Sequence, residues 1–140
     1  MGDLEMDVLI ASYSSSRAAR RDYEALARLR RDGVIHESNG IVLVTSDESA
    51  NVSAEETDGG LRRALVGRSM KRSVRDPLPP GSGSIVAVFD RLARSAVDAV
   101  VTHHVSKGYA PVVGDGDGAL DAALDAAERV ATSGSPAPGD

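Results

Sequence analysis

Hydrophobic and polar positions along the chain alternate between two periods, and the changes of period mark out its elements. Asp7–Tyr13 (DVLIASY) is short, β-rich and apolar on both sides of an alternating strand, the pattern of a strand buried on both faces. Ser14–Ser16 follows as turn and N-cap material, and a period of 3.6 then predicts a helix over Arg17–Arg31. Its inner stripe is Tyr23, Leu26 and Leu29 with the small Ala19 and Ala27, and Asp32-Gly33 stops it. Val34–His36 and Ile41–Thr45 are the next extended pieces, with Ser38-Asn39-Gly40 as a bulge or bend between them. Val52–Thr57 fits a short edge strand, and Leu61–Val74 an irregular basic helix.

The stretch around which the rest is organised is Pro79–Val105, PPGSGSIVAVFDRLARSAVDAVVTHHV. Breakers lead into the apolar strand Ile85–Phe89, and a helical pattern over Arg91–Ser106 follows at once. That pattern places Leu92 or Ala93, Ala96, Val97, Val100, Val101 and His104 on one side. Lys107-Gly108 reads as its C-terminal stop, a base at the negative helix end and then glycine. Tyr109–Val113 gives the last strand, Gly114–Gly118 a loop, and Leu120, Leu124, Ala127 and Ala131 the stripe of a terminal helix. Residues 1–131 form one domain in this reading, and Thr132–Asp140 a disordered Ser/Pro/Gly tail.

Taken in order, the elements predict an α+β fold, a ferredoxin-like split βαβ sheet with two crossover helices. Both sets of alternating strand residues are apolar: Val8/Ile10 against Leu9/Ala11, Ile41/Leu43 against Val42/Val44, Ile85/Ala87 against Val86/Val88. Two crossover helices cover one face only. Burial is worth roughly 25 cal/mol per Å², so a bare four-stranded face would forfeit many kcal/mol. Its cover is expected to be a second subunit in a homodimer, helped by Leu61–Val74 or the terminal helix.

Composition narrows the function classes. The chain has 140 residues, no Trp, one Phe, three Tyr and no Cys. Without cysteine there is no disulfide, thiolate nucleophile or thiolate metal site, which fits a cytoplasmic setting. Few aromatics argue against a stacking reader of single-stranded nucleic acid. Met1–Met6 does not resemble a signal peptide, and the longest apolar runs of about five residues are far below the roughly 20 that span a bilayer. No membrane contact is expected. The net charge of −5 is segregated, with Arg17, Arg20, Arg21, Arg28, Arg30 and Arg31 on the first helix and Arg62–Arg75 basic throughout. Acids gather at Asp47–Asp58 and Asp115–Glu128. Such blocks are expected to be solvated faces that neutralise each other within the fold or across a dimer, and the net acidity argues against a nucleic-acid partner.

DVLIASY, the helix running into RRDGVIHESNGIVLVTSD, and PPGSGSIVAVFDRLARSAVDAVV together resemble the bacterial "domain of unknown function" family numbered twelve-sixty-nine, over about Asp7–Val113. Proteins of that family usually carry a long Gly-rich apolar hairpin between their two halves. Here the basic stretch Gly60–Arg75 stands in its place, so the membrane association that the hairpin implies is not carried over. The resemblance implies no catalytic residues.

Candidate chemistry is sparse. His103-His104 is the most suggestive pair, but adjacent helical residues point about 100° apart, so both do not readily ligate one metal. The plain alternative puts His104 at the end of the apolar stripe and His103 in solvent, with His36 on another element. Ser14, Ser15 and Ser16 form a weak anion site at a helix start, or simply its cap. Gly114–Gly118 lacks the remaining ligands of a calcium loop, and Pro80–Ser84 precedes a strand rather than a helix. No catalytic set, metal or cofactor is assigned. The expectation is a soluble non-enzymatic protein acting by self-association or on a protein partner. The alternatives are a small-molecule site using His36, His103 or His104, and phosphate or nucleic-acid binding by the basic helices.

Overall fold

A computed structural model describes residues 5–35, 38–49, 52–56, 80–113 and 117–133. Their order is β1 (Met6–Tyr13), α1 (Ser16–Arg31), β2 (Ser38–Ser46), β3 (Val52–Glu56), β4 (Gly83–Asp90), α2 (Arg94–Val100), β5 (Ser106–Val112) and α3 (Asp117–Ser133). A 3-10 turn at Arg91–Ala93 leads into α2. The class is α+β. One antiparallel, open sheet runs β3-β2-β4-β1-β5, with β1 between β4 and β5. Residues 57–79 lie outside the described residues, and with them the basic helix expected at Leu61–Val74.

Period-two alternation divides the core into two layers. Leu9, Ala11, Tyr13, Ile41, Leu43, Ile85, Ala87 and Phe89 face one way and pack with Leu26 of α1 and Val97 of α2. Val8, Ile10, Val42, Val86, Val88 and Ala110 face the other way, with Ala123, Leu124 and Ala127 of α3. α3 lies on β5 and β1. The second face is therefore not bare: Val8, Ile10, Val42, Val86 and Val88 are all buried in the single chain. This corrects the premise of the expected homodimer, because a second subunit is not needed to cover these side chains.

The elements follow their local chemistry with one large exception. Ser15 caps α1, its Oγ accepting from the Ala18 N–H at 3.1 Å, and Asp32 and Gly33 end it. β2 carries the expected irregularity, a register shift between Ser38 and Gly40. The exception is the helix expected over Arg91–Ser106, which is regular α-helix only at Arg94–Val100. Of the two alternatives for its inner stripe, Leu92 is 81% exposed and Ala93 is the one that is buried. The chain leaves the helix because its next groups find partners elsewhere. The His103 N–H donates to Asp22 and the Val105 N–H to Ser12 O, and Ser106–Val112 then pairs with β1 along its length. Lys107-Gly108 is accordingly strand and not helix stop. At the other end, α3 continues through Ser133, past the boundary expected at Ala131.

Candidate functional site: a buried carboxylate holding His103

Asp22 occupies an inner position of α1, between the buried Ala19 and Leu26, and is 1% exposed. A carboxylate there loses its hydration and requires donors in exchange. It has three. The Tyr13 hydroxyl, from the end of β1, donates to Oδ2 at 2.8 Å. The His103 backbone N–H donates to the same oxygen at 3.0 Å. His103 Nδ1 lies 2.7 Å from Oδ1, and Thr102 Oγ1 lies 3.3 Å from that nitrogen.

Three elements meet at this carboxylate: the C-terminal end of β1, the second turn of α1 and the segment after α2. A carboxylate oxygen accepts, so the ring nitrogen facing it carries the proton. That tautomer leaves the lone pair on Nε2. The imidazole is 44% exposed while its partner is 1% exposed, so the carboxylate of the pair is interior and the ring reaches solvent. Burial, and then the hydrogen bond to Asp22, raise the Tyr13 phenol above its ordinary range, and the hydroxyl stays a donor. An imidazole held at Nδ1 by a carboxylate can accept or return a proton at Nε2, or hold a ligand donor there.

His104 is half-buried, and its Nδ1 is buried without a hydrogen-bond partner. Burial, and then the nearby Lys107 charge, hold its pKa below the ordinary value of 6.5, while Asp22 pulls the other way. The two histidines are neighbours on an irregular segment and not on a helix, contrary to the expected placement. His36 lies outside the described residues. Among the described residues no group of three or more His, Cys, Asp or Glu side chains could hold a metal ion.

The serine cluster is committed to the fold. The Ser16 N–H donates to Gly81 O at 2.9 Å, and Ser15 Oγ takes the Ala18 N–H, so two of the first amides of α1 are already engaged. Ser14 is exposed and Ser16 half-exposed beside them.

A second polar cluster sits at the opposite end of β1. Asp7, 1% exposed, accepts from Arg91 Nε at 3.0 Å and faces Arg94 at 3.6 Å, while Arg91 also pairs with Glu5. The Arg94 guanidinium stacks 4.5 Å from the Tyr109 ring centroid. Tyr109 donates to Asp98 at 3.0 Å, and Lys107 pairs with the same carboxylate at 2.5 Å. Burial raises the Asp7 pKa and Arg94 opposes it. These charges spend themselves on one another across β1, α2 and β5, which makes the cluster a clasp for α2.

Sequence reasoning picked out His103 and missed Asp22 and Tyr13. The signal for Asp22 was present: a lone acid three residues after Ala19 and four before Leu26, on the apolar stripe itself. Among the described residues no helix is long and apolar enough to cross a membrane. No protein-family model, no curated protein and no solved structure matches the chain.

Proposed function

We propose that this protein binds a small molecule at His103 and uses the Nε2 lone pair as hydrogen-bond and proton acceptor, with Asp22 and Tyr13 as positioning residues. One observation carries the reading: a 2.7 Å contact between the ring's Nδ1 and a carboxylate that is 1% exposed. A solvated histidine needs no such support. Burying Asp22 costs several kcal/mol before its hydrogen bonds offset it, and an apolar residue on the α1 stripe would avoid that cost. Groups held this way concentrate where proton transfer or ligand recognition requires a fixed tautomer.

The reading sits on a ferredoxin-like split βαβ unit. The order β2-β4-β1-β5 of the four longer strands supports that assignment, with α1 and α2 on one face and β3 and α3 as additions. A soluble, cytoplasmic setting belongs to the same proposal. A homodimer through the second sheet face does not, since Val8, Ile10, Val42, Val86 and Val88, which called for it, are buried in the single chain.

The test uses p-nitrophenyl acetate as a probe of an accessible, oriented imidazole. At neutral pH the wild-type protein should hydrolyse it several-fold faster than His103→Gln, with Asp22→Asn in between. Equal rates for wild type and His103→Gln, both folded by circular dichroism, would overturn the reading.

A further inference from the structure

α1 turns its arginines away from the sheet. Arg17, Arg20, Arg21, Arg28 and Arg31 are exposed, and Glu24 is the one exposed acid of the helix. Neutralisation of these charges within the fold, expected from the sequence, reaches only one of the five. Arg20 pairs in bidentate fashion with Glu55 of β3. Among the described residues no carboxylate pairs with Arg17, Arg21, Arg28 or Arg31. The helix dipole favours Arg28 and Arg31 in the last turn but does not account for the rest. No acid occupies the first turn, and Arg17, Arg20 and Arg21 lie in the half of the helix where the dipole disfavours cations.

The chemistry of the face selects the partner. Among the described residues the exposed large apolar side chains are Val34, Leu92, Val105, Val113 and Val130, and none belongs to α1. A protein partner needs an apolar centre with anchors, and a lipid surface needs an apolar face to insert. Single-stranded nucleic acid needs exposed rings to stack on, whereas Tyr23 packs against the core. A line of guanidinium groups fits a partner bound by charge alone. From Arg17 to Arg31 that line extends about 21 Å along the helix. The net charge of −5 does not cancel it, because salt screens charges more than about 10 Å apart at 0.1 M.

We infer that the outer face of α1 contacts the phosphodiester backbone of duplex nucleic acid, without reading its sequence. Guanidinium groups bind phosphate oxygens two at a time, and each neutralised phosphate releases a counterion. Fluorescence anisotropy with a labelled DNA duplex of mixed sequence tests this. With about four phosphates engaged, affinity should fall roughly a hundredfold between about 50 and 200 mM salt. Arg21→Gln combined with Arg28→Gln should flatten the slope of log K against log salt by about 1.8 and leave the melting midpoint unchanged. Three results would each overturn the inference. One is no binding at the lowest salt. Another is an unchanged slope in the double variant, with binding lost instead in Arg62→Ala, Arg63→Ala. The third is preference for labelled polyglutamate over the duplex, which would mark an acidic protein as the partner.

Discussion

A Cβ placed on Gly108 would come within 2.5 Å of the Ala131 amide nitrogen and 3.0 Å of its α-carbon, so β5 and α3 meet backbone to backbone. The Ala127 carbonyl oxygen lies against the same position. Glycine is required here for its missing side chain, and Ala123, Ala127 and Ala131 supply the matching small surface on α3. Through this contact the β5 and β1 part of the second face obtains its cover. The neighbouring atoms are backbone, which cannot turn aside as a flexible side chain would.

Gly108→Ala should therefore lift α3 from β5. We expect a loss of about 3 kcal/mol or more in urea unfolding, at the upper end for overpacking. Dye binding to the uncovered Val8 and Ile10 of β1 should rise in parallel. A loss below about 0.5 kcal/mol, the ordinary range of surface substitutions, would show that the helix does not sit this close.

The other side of the sheet has a matching approach. A Cβ on Gly83 would lie 2.7 Å from the Ala19 Cβ of α1, and this neighbour can be removed. Gly83→Ala should cost about 1–3 kcal/mol as overpacking, and Ala19→Gly about 1 kcal/mol as a helix-interior glycine. The double variant should be more stable than the sum of the two costs by at least about 1 kcal/mol. Simple additivity would mean that the two positions do not touch.

Tyr13→Phe removes one donor from Asp22 and leaves the ring in the core. Hydrogen bonds to charged groups contribute about 1.5–3 kcal/mol, so the variant should lose stability on that scale. It should still fold, because the His103 ring and backbone continue to hold the carboxylate. A variant as stable as wild type would remove Tyr13 from the cluster.

His104 makes stability fall on the acid side. Its folded-state pKa is depressed below 6.5 by burial and by Lys107, so near pH 6.5 the unfolded chain gains a proton that the folded chain resists. Its share of stability is thus complete above about pH 6.5 and lost progressively below it, until the folded-state value is reached. Asp98 acts in a lower window. Lys107 and Tyr109 hold its pKa below 3.8, and its contribution goes only as pH falls through that lowered value. In urea titrations at about pH 7 and about pH 5.5, His104→Gln should lose less stability than wild type between the two. An identical loss would assign the acid sensitivity to other groups.

Much of the fold was legible because short apolar runs and their breakers are local signals. Asp7–Tyr13, the Ser15 cap and the irregularity after Ser38 are all written within a few residues of where they act. The helix after β4 was not legible in that way. Val97, Val100 and Val101 continue a helical stripe, but the chain turns out where Asp22, some 80 residues earlier, takes the His103 N–H. Gly108 misled for a related reason. A glycine after a lysine looks like a cap from its neighbours alone, whereas its cause is a helix that follows it in the chain. The site divides likewise: His103 stood out by residue type, while Asp22 was hidden among the arginines of α1.

The tautomer of His103 tests the central claim most directly. Nitrogen-15 NMR of the imidazole rings, at a pH where His103 is neutral, reports which ring nitrogen carries the proton. We predict the Nδ1–H form, with Nε2 showing the shift of an unprotonated ring nitrogen, and its loss in Asp22→Asn. A ring in the Nε2–H form, or one averaging between both forms as free imidazole does, would contradict the account.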